Sequence, residues 1–171
     1  LRFYYIGFKG GDSSSYMHSN GATGMATLRR DGFASMSTTG EGSLTTRPVK
    51  FSGKYMFVNV NCPAGELKVE ILDKNNKVID GFSADKCKAV TIDSTIQQVE
   101  WNGASDLSSL AGQEVRFRFK LKNGDLYAFW VSPSTNGESN GYVAGGGPGY
   151  TSNKDTEGKK AYEKASGFQK F

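Results

Sequence analysis

A chain of 171 residues is most simply one domain, with an appendage at most, and can bury roughly two thirds of its unfolded surface. Its 22 glycines and 11 phenylalanines, set among β-branched runs with few helical periods, point to an all-β fold. The net charge of +4 and pI near 9.0 are mild, no basic block marks a nucleic-acid tail, and no apolar run approaches the roughly 20 residues needed to cross a bilayer. Neither nucleic acid nor a membrane span is therefore expected.

In chain order, Arg2–Phe8 reads as an apolar strand, residues 9–24 as a polar Gly/Ser/Asn loop, and residues 23–29 as the antiparallel partner. Arg30-Asp31-Gly32 turns into a short strand at 33–36. His18, the one histidine, lies in the loop with no Ser, Cys or Asp constellation beside it and reads as an exposed polar residue. Pieces at 43–46 and 49–51 flank Pro48 and suit an edge or a strand switch. Tyr55–Asn61 alternates, with Met56, Val58 and Val60 on one face and Tyr55, Phe57, Asn59 and Asn61 on the other. Leu67, Val69 and Ile71 form the next inward set, and residues 91–101 supply one or two more strands ending at an Asn102-Gly103 turn. Asp106 to Gly112 reads as one helical turn with an Asp cap and a Gly stop.

Cys62 and Cys87 flank an expected hairpin, Glu66–Leu72 with 77–82, that turns at Asp73-Lys74-Asn75-Asn76. If Leu72 opposes Lys77, the same register sets Cys62 opposite Cys87 and makes them a disulfide candidate. A bulge at Asn76 would shift that register by one residue and spoil the pairing. Two cysteines do not fix the redox compartment, and with one histidine in the chain they do not suggest a metal site.

The stretch 114–133, EVRFRFKLKNGDLYAFWVSP, is expected to be a second hairpin. Asn123-Gly124 between alternating runs is a strong turn signal because both residues tolerate positive φ. That fold places Val115, Phe117, Phe119, Leu121, Leu126, Ala128 and Trp130 on a core face. Arg116, Arg118, Lys120 and Lys122 then lie outside with Asp125, Tyr127, Phe129 and Val131. Beyond Pro133 the chain is dense in Gly, Ser, Asn and Pro. Tyr142 to Ala144 is expected to be extended, Gly145 to Gly149 a tight surface run, and 155–166 a short helix capped by Asp155, stopped by Gly167, with Tyr162 and Ala165 inward. Eight to ten short strands with regular turns describe a two-sheet antiparallel β-sandwich of jelly-roll type.

Two passages carry a resemblance. Tyr4-Tyr5, with Gly24-Met25-Ala26-Thr27-Leu28-Arg29-Arg30-Asp31-Gly32-Phe33, resembles the closing strands of five-bladed β-propellers in glycoside hydrolase family 32-like proteins. The second passage starts at Leu44-Thr45-Thr46-Arg47-Pro48, Gly65-Glu66-Leu67-Lys68-Val69-Glu70 and Gly81-Phe82-Ser83. It continues through Cys87, Trp101, Asp106-Leu107 and Leu110-Ala111-Gly112 to Leu126-Tyr127-Ala128-Phe129-Trp130. It resembles the β-sandwich module that follows such a propeller in bacterial proteins. The resemblance implies a division into propeller-like strands at 1–36, a sandwich at 37–133 and a tail at 134–171, in a secreted or extracellular protein of the periplasm or cell surface. The start at Leu1, without a signal peptide, reads as a processed product or an excised piece. The family's catalytic motifs, of Asn-Asp-Pro, Arg-Asp-Pro and Glu-Cys type, have no counterpart here, and Arg30-Asp31-Gly32 reads as a turn.

The expectation is thus a non-catalytic carbohydrate-binding module without cofactor, accessory to a glycoside hydrolase-like protein. Tyr127 and Phe129 would stack on sugar rings, Arg116, Arg118 and Lys120 would bind hydroxyls or anionic groups, and Trp101 could add a rim platform, although a core position suits it better. The expected partners are a polysaccharide or oligosaccharide, with a lean to anionic glycans, and a β-propeller catalytic domain. A structural calcium would suit such a fold, but no Asp-x-Asn-x-Asn-Gly loop nominates ligands. Two bland alternatives stand beside this: a purely structural module bracing a propeller, or a basic face that is merely solvated.

Overall fold

The computed structural model describes residues 1–9, 20–143 and 149–166, with backbone alone at 165 and 166. His18, Gly145 to Pro148 and Gly167 lie outside the described residues. The chain divides into two compact units, Leu1–Phe33 and Ala34–Phe171. The second unit takes in the residues beyond Pro133.

The first unit is a two-stranded antiparallel sheet of β1 (Arg2–Phe8) and β2 (Gly21–Thr27), with Tyr5 opposite Gly24 and Ile6 opposite Thr23. A tight turn follows at Arg30-Asp31, where Asp31 has φ +49° and the Gly32 N–H donates to Arg29 O. Phe3, Tyr4, Tyr5, Ile6 and Phe8 are all exposed, so each face of this ribbon carries exposed apolar side chains.

The second unit holds β3 (Met36–Thr45), β4 (Tyr55–Asn61), β5 (Glu66–Leu72), β6 (Asp93–Val99) and β7 (Arg116–Ser132), plus helix α1 (Lys159–Ser166). All five strands join one antiparallel sheet, and the fold is mostly β. Residues 33–35 are not a strand, because β3 begins at Met36.

The structure corrects the hairpin expected at Asn123-Gly124. β7 is one continuous strand of 17 residues. Its residues 118–126 pair with β3 on one side, while on the other side 116–122 pair with β5 and 125–132 with β4. With both edges occupied by other strands, β7 cannot pair with itself. Asn123 does take positive φ, +45°, but at a bend instead of a turn tip. Phe119 and Phe129, ten residues apart, would stand about 33 Å apart on a straight strand. Their ring centroids are 4.9 Å apart, so the strand folds sharply between them. The chain from β4 to β5 turns the same corner at residues 62–65. The two bends touch: a Cβ on Gly124 would strike Asn61 O, and one on Gly65 would strike Lys122 O.

Alternation holds on both sides of the corner but slips by one residue in β7. Asn59 faces Ala128 and Val60 faces Leu126, leaving Tyr127 as the unmatched residue of a bulge. Before it, Phe117, Phe119, Leu121 and Leu126 point inward as expected. After it, Phe129 and Val131 point inward opposite Val58 and Met56, while Ala128 and Trp130 lie outward opposite Asn59 and Phe57. The expected sides of Ala128, Phe129, Trp130 and Val131 are therefore exchanged. Inward residues of both halves meet in one core with Phe82, Cys87, Val90, Val99, Trp101, Leu107 and Leu110.

The outward side of the β4–β6–β7 half is not solvated. Phe57 and Asn59 are fully buried, and Trp130 stacks on Phe57 with ring centroids 5.8 Å apart. The tail roofs them. Trp130 Nε1 donates to Gly137 O at 3.0 Å, and Gly137, at φ +81°, sits so close that a Cβ would meet the Phe57 ring. Lys159 Nζ lies 5.2 Å from the Phe57 centroid, and Tyr162 and Thr95 share a hydroxyl hydrogen bond of 2.7 Å. Asp155, fully buried, accepts from the backbone N–H of Ser139, Glu157 and Gly158 and from the Ser139 hydroxyl. These bonds all precede α1, which begins at Lys159, so the expected helix start at 155 and its Asp155 cap are corrected: Asp155 orders the loop ahead of the helix. Among the described side chains of α1, Ala161 is buried and Tyr162 is exposed, while the side chain of Ala165 lies outside the described residues.

Cys62 and Cys87 are free thiols, which corrects the disulfide expectation. Leu72 pairs with Val78 instead of Lys77, and Asn76 has φ +63°, so the one-residue shift that spoils the register is the one adopted. Cys62 Sγ donates to Val90 O at 3.2 Å, whereas Cys87 Sγ accepts the Val69 N–H at 3.3 Å. Burial raises the pKa of both thiols.

Candidate functional site

The basic stripe exists, on the outward side of the β3–β7–β5 half. Three cross-strand rows set Thr45, Arg118 and Glu70 abreast, then Ser43, Lys120 and Lys68, then Glu41, Lys122 and Glu66. Each cation finds a carboxylate or a backbone oxygen. Glu70, nearly buried, binds Arg118 Nη1 through Oε1 at 2.7 Å and approaches Lys120 Nζ with Oε2 at 3.5 Å. Lys122 pairs with Glu41 at 3.4 Å and Lys68 with Glu66 at 3.7 Å. Arg116 Nη1 donates to Thr46 O at 3.2 Å, while its buried Nε has no partner among the described residues.

The expected aromatic partners are not beside these cations. Phe129 packs on Phe119 and, edge-on at 5.7 Å, on Phe117, which puts it on the inner side of the sheet. Tyr127 is the half-buried bulge residue beyond the corner. Trp101 is buried, packed edge-on against Phe82 at 5.6 Å, and its Nε1 donates to Val69 O at 2.9 Å. It belongs to the core and forms no rim platform. Of the six expected ligand-binding residues, Arg116, Arg118 and Lys120 come together and the three rings do not join them.

A cleft that sequence reasoning missed lies where β4 starts and β6 ends. It encloses about 210 Å³ and is lined in part by Lys54, Tyr55, Lys88, Gln98, Glu100 and Asp106. Asp106 Oδ1 accepts the Ser108 N–H at 2.8 Å at the head of the 3-10 turn Ser108–Leu110, and that bond holds its carboxyl below the usual range. The Gly112 stop, at φ +75°, was legible in sequence, whereas the N-cap is Leu107 and Asp106 bonds from one residue ahead of it. The facing residues were not, because they come from three separate segments.

Among the described residues no group of three or more His, Cys, Asp or Glu side chains could hold a metal ion, and no helix is long and apolar enough to cross a membrane. Compared with protein-family models, curated proteins and solved structures, the chain matches none.

Proposed function

We propose that the chain is a non-catalytic structural module that braces a larger β assembly, in the setting of a secreted carbohydrate-active protein of glycoside hydrolase family 32-like type. One observation carries this reading: β1 and β2 form a ribbon with Phe3 and Tyr5 exposed on one face and Tyr4 and Ile6 exposed on the other. Two strands alone are marginal in water, and a ribbon with exposed apolar side chains on both faces fits as the closing strands of a sheet that other chain segments complete. The bent sheet of the second unit would then be a jelly-roll-like sandwich serving as the brace. The test is co-purification with a separately expressed β-propeller of that family lacking its closing strands. Full-length chain is expected to be retained and residues 34–171 lost. Equal retention of both, or of neither, refutes the reading.

A second reading keeps glycan recognition, without ring stacking, on the basic stripe. It is favoured by the five cations Arg116, Arg118, Lys120, Lys122 and Lys68 facing three carboxylates, Glu41, Glu66 and Glu70. Retention on a sulfated or uronate polysaccharide gel should then fall with salt and with Lys120→Ala/Lys122→Ala; no retention at low salt removes this reading.

A further inference from the structure

We infer that the cleft between the start of β4, the end of β6 and the 104–107 segment is a binding site for a small neutral polyhydroxylated ligand, one sugar ring or a polyol of that size. This goes beyond the bracing role and does not rest on it.

The cleft is built, not incidental. The Leu107 N–H donates to Lys54 O at 2.8 Å and ties one wall to the other. Met56, Val99 and Trp101, all buried, form its apolar floor, and Trp101 is fixed there by its bond to Val69 O. Above that buried base the lining is mostly polar, which suits hydroxyl groups better than an apolar ligand.

Size and charge select the ligand class. At about 210 Å³ the space lies below the roughly 300–1,000 Å³ typical of drug-sized ligands and equals about seven water molecules. That suits one ring, not an oligomer. The walls carry two cations, Lys54 and Lys88, and two carboxylates, Glu100 and Asp106. Lys88 Nζ sits 2.8 Å from Glu100 Oε2, and Lys54 and Asp106 add one charge of each sign, so the lining is neutral overall. An ionic ligand would compete with the Lys88–Glu100 pair and meet a charge of its own sign in the same walls. A hydroxyl both donates and accepts, so a polyol can add to these pairs without disrupting them. The Gln98 side-chain amide offers one more donor and one more acceptor, and the Ser105 hydroxyl can serve either way.

The experiment is a titration of the full chain with glucose, galactose, mannose, fructose and glucuronate, followed by amide chemical shifts and Trp fluorescence. At least one neutral sugar should give saturable shifts confined to residues 54–56, 88 and 98–107, with glucuronate weaker. Gln98→Ala and Glu100→Gln, both at partly exposed positions, should each weaken binding by about tenfold, the loss of one or two hydrogen bonds to the ligand. Unchanged near-UV circular dichroism verifies that both variants fold. Shifts absent for every neutral sugar, shifts that map elsewhere, tighter binding of glucuronate, or affinity indifferent to both substitutions would each overturn the assignment.

Discussion

The two ends of β7 share one backbone and meet opposite surroundings on their outward side. At residues 116–122 the outward side chains are Arg and Lys: Arg118, Lys120 and Lys122 are ion-paired to neighbouring strands and partly open to solvent, and Arg116 bonds Thr46 O. At 128–130 they are Ala128 and Trp130, packed with Phe57 under the tail. The first half needs only water and carboxylates to satisfy it, whereas the second needs a further layer of chain. The comparison teaches why the Gly- and Ser-rich tail folds at all. Its own apolar content is slight, but it supplies the cover that Phe57 and Trp130 require.

This contrast can be broken at several points. Phe57→Ala empties a fully buried site against Trp130 and should cost about 3–5 kcal/mol, read as a lower denaturant midpoint with loss of the Trp130 near-UV signal. Asp155→Ala leaves the donors of Ser139, Glu157 and Gly158 without their acceptor and should cost about 1–3 kcal/mol, with faster amide exchange confined to the tail. On the open half, Glu70→Gln should cost less, about 1–2 kcal/mol, because Arg118 and Lys120 reach solvent when their partner is neutralised.

Acid should distinguish the halves more gently. The Lys164 ammonium, bonded to Glu157, holds that carboxyl below its usual range. Its stabilisation is present above the unfolded carboxylate pKa and is lost as pH falls through the lowered folded value. Helicity of α1 should therefore fade only at pH below the ordinary glutamate range, which circular dichroism against pH checks. The smallest effect belongs to the thiols: reductant should leave the melting temperature unchanged, and Cys62 and Cys87 should resist thiol reagents until the protein unfolds.

What was legible in the sequence was whatever a period of two encodes. Met56, Val58 and Val60, then Leu67, Val69 and Ile71, then Phe117, Phe119 and Leu121, are inward as their alternation implies. The fate of Asn123-Gly124 was not legible, because positive φ serves a bulged bend as well as a hairpin tip. The choice was made by β3 and β5, which claim both edges of β7 from 40 or more residues upstream. The cationic side of β7 was readable from Arg116, Arg118 and Lys120, but its neutralisation needed Glu70 placed next to Arg118 by strand pairing. Phe57 on an otherwise polar face was the one local hint that this face is covered.

Tyr127 has a consequence of its own. One surplus residue decides which rings beyond it join the core, so this segment must keep its count even where its chemistry is free to vary. A one-residue deletion there would turn Phe129 out to the roof and drive Trp130 into the space Phe129 fills. Spacing, more than residue identity, is what a designer or a lineage would find hardest to alter here.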